Sequence, residues 1–342
     1  MGLLSFADVD HLLTSTAIRT PAVRIAQDGS VLPASRYTRA GASLAGEPLS
    51  GLVDARKVLE LFEGGATVVL QGLHRYWPPL RELTAQLELD LGHPCQANAY
   101  LTPPGSQGFA VHSDSHDVFV FQTHGTKLWE VHGEDGPEEV LLEPGLSMYL
   151  PTGTPHAART QDAASLHVTI GINQLTWRGL VRRSVEQVVA EVRDDHLPAG
   201  YLDRPEDLSA GLAERLRDVA DAISGLDAAA AVDREVERFL TSRGPLLAGG
   251  LGDVLAVRSL TDETRLRRRP GTPMLLRPRG DRVVILLGDR TLDVPARLLP
   301  ALAQVREERE LAPADLAAHL DDQSRLVLCR RLVREGLLEV VR

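Results

Sequence analysis

The chain has 342 residues, 43% of them hydrophobic and 25% charged, with a formal net charge of −10. That is enough apolar material for one large domain or two to three ordinary ones, and it excludes fibrous and disordered classes. Apolar runs are short and interrupted, and residues 1–8 lack the basic flank and apolar core of a secretory signal. The expectation is therefore a soluble, cytoplasmic protein with no membrane association.

Charge and residue usage narrow the reading. Residues 251–342 carry 17 Arg against 14 acidic residues, so the first 250 hold a net −13. Any nucleic-acid contact would have to come from the C-terminal part. Only Lys57 and Lys127 among the 37 basic residues are lysines, which singles both out in an arginine-rich chain. Cys95 and Cys329 lie far apart with no ligand or redox spacing, as expected of two ordinary buried thiols.

In chain order, residues 54–64 and 79–89 read as helices packing outside a sheet. Short extended runs follow at 67–71, 95–101, 118–122, 128–132, 147–150 and 166–172, with turn residues between many of them. Short strands at this spacing predict a barrel or jelly roll. After Trp177 the period changes to helical: Val181, Val185, Val188, Val189 and Val192, then Leu208, Leu212, Leu216, Val219 and Ile223 after a break at Pro205, then a third helix over 227–241. These stripes predict either a bundle shared with a second copy or a helical cap on the barrel. From about residue 256 a hairpin (283–287 with 291–294), helices at 296–309, 313–320 and 324–335, a stop at Gly336 and a strand at 337–341 predict a winged-helix-like module. The fold expected is mixed α+β: a double-stranded β-helix over residues 1–176, a helical region over 177–252 and a winged-helix-like domain over 253–342.

Seven of the eleven histidines lie between residues 93 and 167. Among them His112 and Asp114 form a His-x-Asp pair, and alternate residues of an extended segment project to one side. His156, after Pro151-Thr152-Gly153-Thr154-Pro155, opens a late strand from which a barrel can bring it across to that pair. Two imidazoles and one carboxylate on one face of an octahedral metal leave three positions open, which suits non-haem Fe(II).

The run from Gly105 through His112-Ser113-Asp114-Ser115-His116-Asp117 to Gly125-Thr126-Lys127-Leu128-Trp129 resembles the signature of the ribosomal oxygenases, JmjC-type cupin hydroxylases that use Fe(II) and 2-oxoglutarate. The resemblance extends to Asn98-Ala99-Tyr100, to the turn before His156 and to His167-Val168-Thr169-Ile170. It implies that His112, Asp114 and His156 ligate iron and that Lys127 binds the distal carboxylate of 2-oxoglutarate. Asn98 matches a pocket-lining position of the family, and strand parity puts Tyr100 on the same face. A buried ammonium needs an anionic partner, and a dicarboxylate supplies one.

Gly171 departs from the serine often found there in relatives, which removes a hydroxyl contact to the cosubstrate or leaves it to water. His116 is expected in a supporting role rather than as a ligand, and His167 as an interior histidine with its hydrogen bonds satisfied. His124 and His132 read as surface residues, Trp129 and Phe119 as barrel core. The implied activity is hydroxylation of an Arg or His side chain of a ribosomal protein by a homodimer. The alternatives are hydroxylation of a small metabolite or peptide natural product, or a non-catalytic cupin with a DNA-binding winged helix. The DNA-binding reading is the weaker, because Arg325, Arg330, Arg331 and Arg334 sit among acidic residues.

Overall fold

The computed structural model describes residues 2–44, 47–106 and 109–342. Met1 of the opening segment, and Gln107 and Gly108 of the run before His112, lie outside them. The chain divides into two units, Met1–Gln174 and Leu175–Arg342.

The first unit begins with α1 (Phe6–Thr14), β1 (Val23–Gln27), β2 (Ser30–Val31), β3 (Thr38–Leu44), β4 (Glu47–Val53), α2 (Ala55–Glu63), β5 (Thr67–Leu70) and α3 (Pro78–Leu91). It continues with β6 (Cys95–Thr102), β7 (Asp117–His124), β8 (Lys127–Gly133), β9 (Gly136–Leu142), β10 (Ser147–Leu150), β11 (His156–Thr160) and β12 (Ser165–Ile172). An antiparallel sheet in the order β10-β7-β12-β6-β5-β1-β2 is accompanied by a smaller one, β11-β8-β9. This is the double-sheet jelly roll that the short runs predict.

Side-chain alternation divides the large sheet cleanly. Leu166, Val168, Ile170 and Ile172 of β12, with Ala97, Ala99 and Leu101 of β6, pack in a core that includes Val9 and Leu12 of α1, Val58 of α2 and Leu80 of α3. The alternate residues, Asn98, Tyr100, His167 and Thr169, line a cavity on the other face. Val118, Val120, Trp129, Leu142 and Leu150 form a second, smaller core. Gly125 sits in the β7–β8 turn at φ +61°, where a Cβ would fall on the Ala164 carbonyl oxygen, so only glycine fits the turn that delivers Lys127.

The second unit holds α4 (Trp177–Ala190), α5 (Pro205–Ser224), α6 (Ala228–Thr241), α7 (Gly250–Ala256), β13 (Leu266–Arg268), β14 (Leu275–Arg279), β15 (Arg282–Leu286) and β16 (Thr291–Pro295). α8 (Leu299–Glu307), β17 (Glu310–Leu311), α9 (Asp322–Arg334) and β18 (Leu338–Val340) complete it. Pro205 is the first residue of α5 rather than a break before it, as suits a residue with no N–H to satisfy. The helix expected over 313–320 is only a 3₁₀ turn, Pro313–Leu316, at whose start the Asp315 carboxylate accepts from the Ala312 amide at 2.7 Å. The C-terminal helices and two small sheets, β17-β13-β18 and β14-β15-β16, enclose their own core around Ile285, Leu302 and Leu332.

Two of the arginines that would make α9 a reading head are engaged inside the unit. Arg325 holds Asp262 through two nitrogens, and Arg330 donates to the Leu260 carbonyl at 2.9 Å. Arg331 pairs with Glu335 at 2.8 Å.

Candidate metal and cosubstrate site

The jelly roll encloses a cavity of about 280 Å³. At one end His112, Asp114 and His156 bring their ligand atoms within 4.8 Å of one another. The His-x-Asp segment is not part of a strand, contrary to expectation: it is a loop pinned to the start of β11 by an isolated bridge between His112 and His156. His112 Nδ1 lies 2.8 Å from the Ala110 carbonyl, and His156 Nδ1 lies 2.9 Å from that of Thr154. Each carbonyl fixes the tautomer with the proton on Nδ1, which leaves both Nε2 lone pairs for a metal. His156 Nε2 is 3.8 Å from Asp114 Oδ2. Burial pushes the His156 pKa down, which favours the neutral, ligating ring.

Asp117 holds the turn that leads into His156. Its carboxylate accepts hydrogen bonds from the Tyr149 hydroxyl, from the Thr152 amide at 2.7 Å and from the Thr152 hydroxyl at 2.8 Å. Partial burial raises its pKa, but these donors prevail and hold it at about 2.

Lys127 lies on the cavity wall, 3% exposed. In the β8–β11 ladder it pairs with Thr160, four residues along from His156, or ~13 Å of strand. Its Nζ donates to Thr102 Oγ1 at 3.1 Å, and that hydroxyl is 3.0 Å from Thr67 Oγ1. No carboxylate pairs with it among the described residues, and burial pushes its pKa down to about 7. An ammonium in that position lacks a counter-charge.

Asn98 and Tyr100 line the same cavity. Asn98 Oδ1 accepts from the Gly72 amide at 3.0 Å, which leaves its NH₂ group as the uncommitted end. Tyr100 stacks on His167 with ring centroids 4.9 Å apart and planes 5° from parallel. His167 is buried, but among the described residues its Nδ1 has no hydrogen-bond partner, unlike the satisfied interior histidine expected from the sequence. Trp129 belongs to the core as expected and also lines the cavity, with its Nε1 unpartnered among the described residues. Phe119 packs on the helix side of the sheet and against Tyr149. His124 is exposed beside Phe6, and half-exposed His132 pairs with Glu130.

Arg24 and Phe109 are cavity residues that the sequence did not single out. The Arg24 guanidinium stands over the Phe109 ring at 5.6 Å, and its buried Nε has no partner among the described residues. No local motif marks Arg24, since only the pairing of β1 with β5 brings it to this wall.

A His-Asp-His donor set with free Nε2 atoms, a buried cation lacking an anion and three unpartnered polar nitrogens fit a metal and an acidic cosubstrate. The fold is a double-sheet jelly roll, and the JmjC domain profile matches residues 81–139 and 132–180. Over that stretch the chain is similar to JmjC domains, and it is also similar in sequence to ribosomal oxygenases. It is 29% identical over 231 residues to human ribosomal oxygenase 1, covering 59% of this chain and 34% of that protein. The rat ribosomal oxygenase 1 is 32% identical over 199 residues, covering 52% and 32%. A Branchiostoma floridae protein named bifunctional lysine-specific demethylase and histidyl-hydroxylase NO66 is 34% identical over 161 residues, covering 45% and 26%. The matches to the two ribosomal oxygenases thus span about a third of those proteins' length. The Escherichia coli ribosomal oxygenase YcfD, solved with cobalt and 2-oxoglutarate, shares the fold at a TM-score of 0.54 and 18% identity, over 100% of this chain and 92% of that one.

Proposed function

We propose that this protein is an Fe(II)- and 2-oxoglutarate-dependent oxygenase that hydroxylates a histidine or arginine side chain of a ribosomal protein in the cytoplasm. The observation that carries the reading is the buried, carboxylate-free Lys127 in a cavity whose other end holds the His112–Asp114–His156 cluster. Those three residues would hold the iron, and Lys127 would take the distal carboxylate of 2-oxoglutarate, with Asn98 and Tyr100 along its side. Iron and cosubstrate, once bound, supply oxygen activation coupled to oxidative decarboxylation of 2-oxoglutarate to succinate.

The chain's own residues prepare the site. The Ala110 and Thr154 carbonyls orient the two imidazoles, Asp117 steadies the turn before His156, and Thr102 with Thr67 steers the Lys127 ammonium. Val118, Val120, Leu150 and Ala158 make much of the wall apolar, which limits water at the reacting centre. The acidic excess of the first 250 residues complements a basic ribosomal protein.

The reading extends to the rest of the chain: residues 1–176 as the catalytic domain, 177–252 as a homodimerisation region and 253–342 as a winged-helix-like domain that does not bind nucleic acid. Exposed Val181, Val189, Leu212 and Leu216 support the dimer, and the engaged Arg325 and Arg330 support the last point. The test is mass spectrometry of ribosomal proteins from strains with and without the gene. A gene-dependent gain of one oxygen atom on one histidine or arginine is expected, and identical spectra would overturn the reading.

A further inference from the structure

Arg24 is a cation of the cavity that the oxygenase reading leaves without a task. Its strand neighbours Val23 and Ile25 are buried in the helix-side core, so alternation turns Arg24 to the opposite face of the sheet, into the cavity. In the register Arg24 faces Val69, Val69 faces Tyr100 and Tyr100 faces His167, a single row across four strands. The Phe109 ring beneath its guanidinium is 5.8 Å from the His112 ring. Arg24, Phe109 and His112 are thus a chain of contacts that ends at a candidate metal ligand.

The guanidinium has one face on an aromatic ring and its donor edge unfilled. Among the described residues it makes no hydrogen bond or ion pair, and its Nε is buried out of reach of bulk water. A carboxylate bridging Nε and one Nη would satisfy that edge, because it presents two parallel donors at the spacing of two carboxylate oxygens. Charge points the same way. The charged residues lining the cavity are Arg24, Asp114 and Lys127. A divalent metal cancels a dicarboxylate and Lys127 cancels Asp114, so the loaded cavity retains the charge of Arg24 alone. A partly buried charge without a counter-ion is costly, and the component still to enter, the substrate, is the one that can bring it.

We propose that Arg24 is a specificity residue whose Nε edge takes the carboxylate of an aspartate or glutamate next to the hydroxylated residue in the substrate chain. This rests on the oxygenase reading above and leaves the hydroxylated residue itself open. A basic protein offers many segments to the acidic first 250 residues, and long-range attraction does not choose among them. The Arg24 guanidinium does, because a segment lacking the carboxylate leaves its donor edge unpaired.

The test uses the full chain loaded with Mn(II) and 2-oxoglutarate. The probes are blocked tripeptides with histidine or arginine in the middle, flanked on both sides by glutamate, glutamine or lysine. Paramagnetic broadening of the flanking side-chain resonances reports approach to the metal, and 2-oxoglutarate binding is measured separately by calorimetric titration. For at least one of the two central residues, the glutamate-flanked peptide should be broadened at about tenfold lower concentration than the glutamine-flanked one, the worth of a charge-assisted hydrogen bond. The lysine-flanked peptide should need the highest concentration. Arg24→Gln should remove the difference, Arg24→Lys should keep part of it, and Arg24→Glu should invert it in favour of lysine. 2-Oxoglutarate affinity should fall in Lys127→Met but not in Arg24→Gln.

The comparison of probes on the unmodified protein needs no variant, so it decides the matter even where a substitution unfolds β1. Equal broadening of the glutamate- and glutamine-flanked peptides, or no broadening of any probe, overturns the proposal when 2-oxoglutarate binds. A glutamate preference that survives in folded Arg24→Gln places the carboxylate elsewhere and overturns it too. So does a loss of 2-oxoglutarate affinity in Arg24→Gln as large as that in Lys127→Met, which would make Arg24 part of the cosubstrate site. Failure of the unmodified protein to bind 2-oxoglutarate would instead overturn the oxygenase reading.

Discussion

His112 and His156 exchange both of their main-chain hydrogen bonds, 3.0 and 2.7 Å long, in a bridge that belongs to no strand ladder. The two imidazoles are thereby locked side by side, ring centroids 4.5 Å apart, before any metal arrives. Such preorganisation makes each ligand's loss a loss of metal rather than of fold. His112→Ala, Asp114→Ala and His156→Ala should each weaken metal binding by at least ~100-fold, beyond what removal of a supporting hydrogen bond costs. Equilibrium dialysis with Co(II) checks this, alongside circular dichroism to show an intact sheet. Undiminished binding in any one variant would remove that residue from the site.

Lys127 yields a pH dependence with a definite sign. Burial lowers its pKa in the folded protein from 10.5 to about 7, so between those values the unfolded chain binds the extra proton. Stability of the cosubstrate-free protein should therefore rise as pH increases from about 7 towards 10, and the penalty of a buried ammonium is fully present below 7. Metal with 2-oxoglutarate should flatten that slope by supplying the counter-charge, and Lys127→Met should abolish it. The same substitution should weaken 2-oxoglutarate binding by on the order of 3 kcal/mol, the scale for a buried pair that loses one member. Chemical denaturation across pH and calorimetric titration of 2-oxoglutarate read the two effects.

Asp117 acts in the opposite direction. With its carboxyl held at about 2 against an ordinary 3.8, it stabilises the fold above pH 3.8 and loses that contribution as pH falls towards 2. Asp117→Ala frees the Tyr149 and Thr152 donors and loosens the turn before His156. Metal affinity should fall ~10- to 100-fold while cavity residues remote from the turn stay in place, as for other groups that orient a ligand from behind. A metal affinity equal to that of the unmodified protein would show that the turn holds its shape without this carboxylate.

Gly125→Ala tests the turn that presents Lys127. A methyl group there meets the Ala164 carbonyl oxygen in a left-handed backbone conformation, so both clash and strain oppose it. We expect a loss of ~2 kcal/mol or more in unfolding free energy. Equilibrium urea unfolding measures it, and a neutral result would mean that the β7–β8 turn relaxes at little cost.

Much of the barrel and of the His-Asp-His cluster was legible in the sequence, because strand alternation, the His112-x-Asp114 pair and the turn before His156 are local signals; Lys127 stood out only through the family resemblance and the scarcity of lysine. The parts that escaped depend on distant pairing or on exposure. β9 carries mostly exposed residues and only the short apolar run Val140-Leu141-Leu142 at its end, while α1 and β1 precede the region where the strand pattern is clear. Arg24 enters the cavity only through the β1–β5 register, and the seating of His116 against Gly171 needs two segments more than fifty residues apart. For His167, parity gave the right face but could not show that Nδ1 would lack a partner. The valine stripe of α4 was visible as a period, yet of its members only Val188 is buried.

That partial burial leads to the last prediction. Leu212 and Leu216, one turn apart on α5, are 55% and 58% exposed, and α5 has no buried residue. Val181 and Val189 of α4 are likewise more than half exposed. Apolar faces of this kind on amphipathic helices gain ~25 cal/mol for each Å² removed from water, and a two-fold related copy removes them without any new partner. Light scattering of the unmodified protein at micromolar concentration should give the mass of two chains. Leu212→Glu with Leu216→Glu places two charges on that face without touching the buried Val188, so it should give folded monomer with metal affinity retained. A single-chain mass for the unmodified protein would mean that these helices remain exposed, and the dimer would be discarded.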